Sequence, residues 1–171
     1  MERPSISKAD NINSFLDFYL NKLKRSYDYL MICDADVAIN KNFIKSNINF
    51  FYSKAFKNLG AITSQILQYK IDNVFANLNR LYLQNSLAYQ NIQGSFDAKN
   101  GMQCFAGACM ILKKEMLDDL SNGFFPNEVD EDFYLSVYCA KRSWYHFMSP
   151  LVASYEMPDK DFVSYWKRIV R

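Results

Sequence analysis

The stretch Tyr27-Asp28-Tyr29-Leu30-Met31-Ile32-Cys33-Asp34-Ala35-Asp36 is a short apolar run that ends in two aspartates. A run of this length is too short for a stable helix and is typical of a buried strand. Before it, apolar residues recur every three or four positions from about Asn11 to Arg25, which predicts an amphipathic helix with Asp10 as its N-cap. A helix followed by a buried strand favours an α/β fold.

Helix-like and strand-like patterns continue to alternate along the rest of the chain. After the first strand we predict a helix over 40–56, a strand over 61–67, a helix over 72–91, a strand or bent strand pair over 104–112, a short helix over 113–120, a helix over 131–142, a strand over 144–154 and a last helix from 158 onward. The alternation predicts an α/β domain with a mixed, mostly parallel sheet flanked by helices. At 171 residues, the chain has room for a single domain, 1–171.

Composition excludes several classes of protein. Half of the residues are apolar, and 14 Phe, 12 Tyr and 2 Trp provide for a packed core, so the chain is not disordered. The net charge is +2, with positive and negative residues interspersed along the chain. Because the sequence has no basic stripe, nucleic-acid binding is not expected. The single histidine, His146, excludes two-histidine metal sites and lies in an apolar strand-like run, where packing is its expected role.

The cysteines and the hydropathy pattern bear on location. The four cysteines lack C-x-x-C spacing, and no signal peptide precedes them, so reduced thiols in the cytoplasm are expected. No apolar stretch reaches the roughly 20 residues of a membrane-spanning helix. We therefore expect that the chain, as given, does not cross a membrane.

Three Asp-x-Asp spacings occur, and their context separates them. Asp159 and Asp161 fall in the expected first turn of the last helix, where carboxylates offset the helix dipole. Asp34 and Asp36 instead end a buried strand, where ligands of α/β sheets bind, and can share Mg²⁺ or Mn²⁺ with diphosphate oxygens. For the third pair, in Asp130-Glu131-Asp132, helix-terminal charge and a catalytic base both remain open.

Five segments form an ordered series along the chain. They are Lys8-Ala9-Asp10-Asn11-Ile12-Asn13, the strand ending in Asp34-Ala35-Asp36, Phe105-Ala106-Gly107-Ala108 leading to Lys113-Lys114-Glu115-Met116-Leu117, Asp130-Glu131-Asp132-Phe133-Tyr134-Leu135-Ser136, and Tyr155-Glu156-Met157-Pro158. In motif, order and spacing this series resembles the inverting family-two glycosyltransferases. The resemblance is closest to the membrane-associated branch that includes cellulose synthase and the osmoregulated glucan glucosyltransferases.

The resemblance implies a GT-A fold and transfer of a hexose from a nucleotide-diphosphate sugar to a glycan or lipid acceptor, with inversion. It implies that Asp34 and Asp36 hold the diphosphate through Mg²⁺ or Mn²⁺ and that Asp132 is the general base. Lys8, Glu131 and Arg168 would contact the nucleotide sugar. The full-length protein would then act in the cytoplasm, at the inner face of the cell membrane.

Some departures from the family pattern leave alternatives open. The family begins with a nucleotide-binding strand and ends its signature in Gln-x-x-Arg-Trp, whereas this chain lacks the former and retains only Arg168 of the latter. We therefore expect a partial catalytic domain, truncated at both ends, and a non-catalytic remnant is one alternative. A second alternative is a Mg²⁺-dependent haloacid-dehalogenase-type phosphohydrolase with Asp34 as nucleophile. That family needs a later acidic pair at a strand end, whereas Asp118 and Asp119 fall in a predicted helix.

Overall fold

The computed structural model describes residues 7–68, 74–78, 81, 107–121, 125, 131–156, 159 and 161–169. Within these residues, one five-stranded sheet organises the fold. Its strands are β1 (Tyr29–Cys33), β2 (Val37–Ala38), β3 (Leu59–Gln68), β4 (Cys109–Lys113) and β5 (Tyr145–Glu156), in the order β1-β4-β3-β5-β2. The strands predicted at 27–33, 61–67 and 144–154 are confirmed to within a few residues.

The sheet is mixed, as predicted, but a parallel majority is not found among the described strands. Only β3 and β5 pair in parallel, whereas the β1–β4, β3–β4 and β2–β5 pairs are antiparallel. For β1 and β4, the antiparallel direction follows from the position at which the chain enters β4. The Asp34 N–H, just past the end of β1, donates to the Ala108 carbonyl at 2.9 Å. Because β4 therefore begins beside the point where β1 ends, the two strands run in opposite directions.

Helices cover the sheet. They are α1 (Lys8–Asp17), which continues into a π-helical turn (Phe18–Lys22), α2 (Phe43–Asn47), which continues into a 3₁₀ turn (Ile48–Tyr52), a helical segment over 74–78, α3 (Lys114–Ser121), α4 (Glu131–Lys141) and α5 (Phe162–Ile169). Most of the helix predicted over 72–91 and the region 104–106 lie outside the described residues. The other predicted helices are present.

The helix predicted over 40–56 is shorter and changes type. Asn47 is fully buried, and its side-chain Nδ2 donates to the Phe43 carbonyl at 2.8 Å. A side chain that bonds the backbone in this way competes with the regular α-helical ladder. The chain passes from α-helix to 3₁₀ helix at the next residue, Ile48.

The start of α1 also differs from the sequence prediction. Ser7, not Asp10, is the N-cap, and its hydroxyl accepts from the Asp10 N–H at 3.0 Å. The Asp10 carboxylate in turn accepts from the Ser7 N–H at 3.2 Å, which completes a capping box. The helix consequently begins three residues earlier than predicted and places Lys8 in its first turn.

Both faces of the sheet are covered by apolar side chains. Along β4, Met110 and Leu112 belong to one buried cluster, whereas Cys109 and Ile111 belong to another. The first cluster also takes in the fully buried Leu135 of α4. Strict alternation of faces is the period of a strand, and burial on both sides explains why β1 and β4 read as continuous apolar runs. This packing fixes the strand ends at which the polar residues gather.

Candidate active site

Lys8 connects three separate parts of the chain. Its Nζ lies 2.5 Å from the Asp34 Oδ1, donates to the Gly107 carbonyl at 2.9 Å and lies 3.7 Å from the Glu131 Oε1. The Lys8 and Asp34 side chains are 32% and 38% exposed, so this ion pair faces solvent at the rim of the sheet. Three residues that the sequence analysis assigned to the nucleotide sugar, Lys8, Asp34 and Glu131, are thus brought together.

Asp34 and Asp36 lie in a tight turn between β1 and β2. The Val37 N–H donates to the Asp34 carbonyl at 3.1 Å, which closes the turn, and Asp36 is exposed within it. Val37 then pairs with Glu156 at the end of β5. The Tyr-Glu segment of the motif series therefore lies beside the aspartate turn, on the neighbouring strand.

Asp132 lies in the first turn of α4. Its Oδ1 accepts from the Phe133 N–H at 2.8 Å, which fixes the orientation of the carboxylate. Its Oδ2 lies close to Gly107, since a Cβ built there would be only 2.8 Å away. Gly107 is therefore required by close approach: its carbonyl accepts from Lys8, and its missing side chain leaves space for the Asp132 carboxylate.

Asn13 holds α1 in place, a role that sequence reasoning missed. Its Nδ2 donates to the Phe125 carbonyl at 2.8 Å, and its Oδ1 accepts from the Phe125 N–H at 2.7 Å. The two residues are 112 positions apart, so no local pattern signals the contact. Its only trace in the sequence is the place of Asn13 in the first motif, five residues after Lys8. Through this pair of bonds the helix that carries Lys8 is anchored to the backbone of Phe125.

The donor set of this site fits a hard divalent cation. Asp34, Asp36, Glu131 and Asp132 bring four carboxylates, against the single ammonium of Lys8, so these five side chains carry a formal charge of −3. Within the described residues, no group of three or more His, Cys, Asp or Glu is placed to hold a metal. Mg²⁺ typically binds through one or two carboxylates and completes its shell with water and phosphate oxygens. Asp34 and Asp36 match that mode.

Arg168 is a site residue whose predicted role the structure does not address. Its backbone lies in α5, while its side chain lies outside the described residues. Its contact with a nucleotide sugar stays a prediction.

Cys33 and Cys109 lie directly beneath the aspartate turn. Cys33, Cys109 and Cys139 are free thiols in the described part of the chain. Burial raises the pKa of Cys33 to about 11, and contact with the Cys109 thiol adds to the shift. Burial also raises the pKa of Cys139 to about 12. The Cys33 and Cys139 thiols are therefore protonated at neutral pH.

His146 has the expected packing role. It lies on β5, partly buried, and its Nε2 is 2.8 Å from the hydroxyl of Thr63, a fully buried residue of β3. This side-chain contact joins the two parallel strands in the interior of the sheet.

The acidic pair Asp118–Asp119 does not reach the aspartate turn. Both residues lie in α3, which begins where the Lys114 N–H donates to the Asp28 carbonyl, at the start of β1. Asp34 lies beyond the opposite end of that strand. The pair is engaged locally, since Asp118 binds Lys114 at 2.5 Å and Asp119 accepts from the Trp144 indole at 2.8 Å. This arrangement disfavours the dehalogenase-type alternative.

Across the described part of the chain, no helix combines the length and apolar character needed to cross a membrane.

Comparison with known proteins agrees with the motif series. The model of glycosyl transferase family 21 matches residues 13–171. The UDP-forming cellulose synthase catalytic subunit of Dictyostelium discoideum is 29% identical over 143 residues, covering 82% of this chain and 13% of that protein. The structure of the mannosyltransferase PcManGT from Pyrobaculum calidifontis, in complex with GDP-Man and Mn²⁺, matches with a TM-score of 0.59 and 19% identity, covering 98% of this chain and 40% of that chain.

These matches support the sequence reasoning at different levels. The structural match, at low identity, shows the fold alone and confirms a glycosyltransferase-like mixed α/β architecture. The chain spans only a minor part of the length of both proteins. The family model covers nearly all of the chain, including the segments that bring Asp34, Gly107 and Asp132 together. The chain therefore belongs to glycosyl transferase family 21.

Proposed function

We propose that residues 1–171 act as one catalytic domain that transfers a hexose from a nucleotide-diphosphate sugar to a glycan or lipid acceptor, with inversion. The observation that carries this proposal is the meeting of Lys8, Asp34, Gly107 and Glu131 beside Asp132. The Asp34 carboxylate, suited to bind the sugar donor, and the Asp132 carboxylate, suited to act as the base, therefore lie on neighbouring parts of the fold. The family match supports glycosyl transfer as the reaction class.

On the donor side, Asp34 and Asp36 hold the diphosphate through Mg²⁺ or Mn²⁺. The formal charge of −3 on the five site residues argues for this, because a diphosphate would otherwise be repelled. When bound, the cation stabilises the negative charge that develops on the leaving nucleoside diphosphate. Lys8 supplies a second positive charge at the same place, and Glu131 keeps its ammonium oriented.

On the acceptor side, Asp132 is the general base. Its Oδ1 is held by the Phe133 N–H, so Oδ2, next to Gly107, is the oxygen that receives the proton of the acceptor hydroxyl. The acceptor oxygen attacks the anomeric carbon as the bond to the diphosphate breaks on the opposite side of the sugar ring. A single displacement of this kind inverts the anomeric configuration.

We also propose a product, an acceptor and a cellular location for the catalytic domain. The relative from Dictyostelium is named as a cellulose synthase, which supports a polysaccharide as product and a carbohydrate as acceptor. We place the domain in the cytoplasm, at the inner face of the cell membrane, with membrane contact through other segments of the full-length protein. Arg168, at the end of α5, then contacts the nucleotide sugar.

Isothermal titration calorimetry of the 171-residue chain with UDP and with GDP, each with and without Mn²⁺, tests the donor site. We expect micromolar binding of one nucleotide that disappears on addition of EDTA and in Asp34→Asn. Asp118→Asn is the matched control, since this exposed aspartate lies beyond the other end of β1 and should not affect binding. Absence of binding by both nucleotides would contradict the proposal and favour the non-catalytic alternative.

Asp132→Asn tests the base. Release of nucleoside diphosphate from UDP-glucose and GDP-mannose in the presence of glycan acceptors should fall by roughly 10²- to 10⁴-fold, the usual contribution of a positioned acid or base. Nucleotide affinity should stay within about twofold of wild type, because the amide keeps the size of the carboxylate. Unchanged turnover in this variant would refute the assignment of Asp132.

A further inference from the structure

Cys33 and Cys109 face each other across two antiparallel strands. They are directly opposite in the register of β1 and β4, so their side chains project from the same face of the sheet. That face is the one buried under Phe43, where Cys109 is fully buried and Cys33 is partly exposed.

The hydrogen-bond pattern shows which kind of pair this is. The Asp34 N–H donates to the Ala108 carbonyl, so the bond that flanks the pair joins the residue after Cys33 to the residue before Cys109. This is the pattern of a non-hydrogen-bonded pair, in which the two Cα atoms lie about 4.5 Å apart and the side chains are closest. A disulfide requires Cα atoms about 4.4 to 6.8 Å apart, so the backbone already has a spacing that accommodates one.

The two thiols also share one buried cluster. Cys33 packs against the buried cluster that contains Cys109. The Cys33 Sγ lies 3.4 Å from the Asp34 carbonyl and 3.9 Å from the Val37 carbonyl, which places it under the turn that carries the site aspartates. A covalent bond between the thiols would therefore tie the end of β1 to the start of β4, next to Asp34 on one strand and Gly107 ahead of the other.

We propose that Cys33 and Cys109 form a redox-active pair that closes reversibly into a disulfide and fixes the strand ends beside the candidate active site. The oxidant is a low-molecular-weight disulfide such as oxidised glutathione. Cys33, the partly exposed residue, loses its proton and attacks the glutathione disulfide as the thiolate, and the first glutathione leaves and takes up a proton. Cys109 then loses its proton and attacks the Cys33 sulfur, and the second glutathione leaves in the same way. Two protein S–H bonds and one glutathione S–S bond break, while one protein S–S bond and two glutathione S–H bonds form.

The test is thiol mapping of the folded 171-residue chain after incubation for several hours with excess oxidised glutathione. After alkylation in denaturant, which exposes the buried thiols, the oxidised wild-type chain should show two free thiols in place of four, and dithiothreitol should restore both. After trypsin digestion, the new bond should join peptide 26–41, which contains Cys33, to peptide 100–113. That second peptide also contains Cys104, so Cys104→Ala serves both for unambiguous mapping and as the matched control.

Cys104→Ala should therefore still form the bond, whereas Cys33→Ala and Cys109→Ala should each lose the intramolecular link. Two pair variants are used because Cys109 is fully buried and its replacement alone can impair folding. Retention of all four thiols by the oxidised wild-type chain would overturn the proposal. A mapped bond that involves Cys104 or Cys139, or undiminished loss of two thiols in Cys33→Ala, would do the same.

Discussion

The ion pair between Lys8 and Asp34 makes a prediction that can be measured without any substrate. A double-mutant cycle of Lys8→Met, Asp34→Asn and the combined variant isolates the coupling energy of the pair. Coulomb's law at 2.5 Å gives roughly 1.7 kcal/mol in the dielectric of water. Because both side chains are about a third exposed and must be ordered to meet, we expect a coupling of about 1 kcal/mol.

The single variant Lys8→Met should lower the free energy of unfolding by slightly more than the coupling energy of the ion pair. It also removes the hydrogen bond to the Gly107 carbonyl and leaves Asp34 and Glu131 without their shared cation. We expect a loss of about 1 to 2 kcal/mol, which in a chain of this size lowers Tm by roughly 2 to 8 °C. Equilibrium urea unfolding measures this loss in stability. Tryptophan fluorescence can monitor the transition because Trp144 packs against the core.

The control is a second ion pair of the same length. Lys114 and Asp118 also lie 2.5 Å apart, with side chains 32% and 46% exposed, but both belong to one helix turn. Pairs of this local kind usually contribute about 0.3 to 0.5 kcal/mol. A Lys8–Asp34 coupling at or below this control value would refute the reasoning that Lys8 joins α1 to the aspartate turn. A coupling above about 3 kcal/mol would contradict the exposure of the pair.

Three further predictions follow from other contacts. Gly107→Ala should displace the Asp132 carboxylate by about 0.6 Å, from 2.8 Å to an ordinary 3.4 Å contact, and lower glycosyl transfer by up to roughly 10²-fold in a turnover assay. Asn13→Ala should lower the free energy of unfolding by about 1 to 3 kcal/mol, because the N–H of buried Phe125 loses its partner, as urea unfolding would show. Stability should fall as pH rises from about 9 toward 12, because the Cys139 thiol has a pKa of about 12 when folded and ionises earlier when unfolded. Cys139→Ala should therefore lose about 2 kcal/mol less than wild type between pH 9 and pH 11 in unfolding experiments.

The first two of these have a matched control variant, and the third is a comparison of Cys139→Ala with wild type. Gly60→Ala crowds the buried Met116 and should destabilise the core while leaving nucleotide affinity unchanged. Asn21→Ala removes an exposed side-chain bond to Asp17 and should change stability by less than about 0.5 kcal/mol. Full activity in Gly107→Ala, an Asn13→Ala loss no larger than that of Asn21→Ala, or parallel pH profiles for wild type and Cys139→Ala would each contradict the corresponding argument.

Local patterns are sufficient to predict most elements of this fold. The strand ending at Cys33 is predictable because both of its faces are buried, which leaves an uninterrupted apolar run before Asp34. The helix from Glu131 is predictable from its spacing. The boundaries of the elements are harder to predict. The N-cap of α1 depends on whether the side chain of Ser7 or of Asp10 accepts a hydrogen bond from the first turn of the helix, and both residue types suit that position.

The directions of the strands and the contacts of the site are not encoded locally. Alternation of helices and strands suggests parallel pairing, but the chain enters β4 next to Asp34 and reverses that expectation. Likewise, motif resemblance marks Lys8, Asp34 and Glu131 as site residues but does not predict that one ammonium meets both carboxylates. The same holds for the fit of Asp132 against Gly107, which only three-dimensional packing produces.

The network around Lys8 has a consequence for how this protein folds. Lys8 and Glu131 are separated by about 120 residues, and closing a loop of that length costs roughly 4 kcal/mol of chain entropy. An ion pair at 3.7 Å on a solvent-facing rim contributes far less than that, so these contacts cannot drive the chain together. They form only after the core has already brought the segments into register. Exchange of Asp34 for another anionic partner of the Lys8 ammonium would therefore cost only about the 1 kcal/mol coupling of that pair, while the core that positions both segments stays packed.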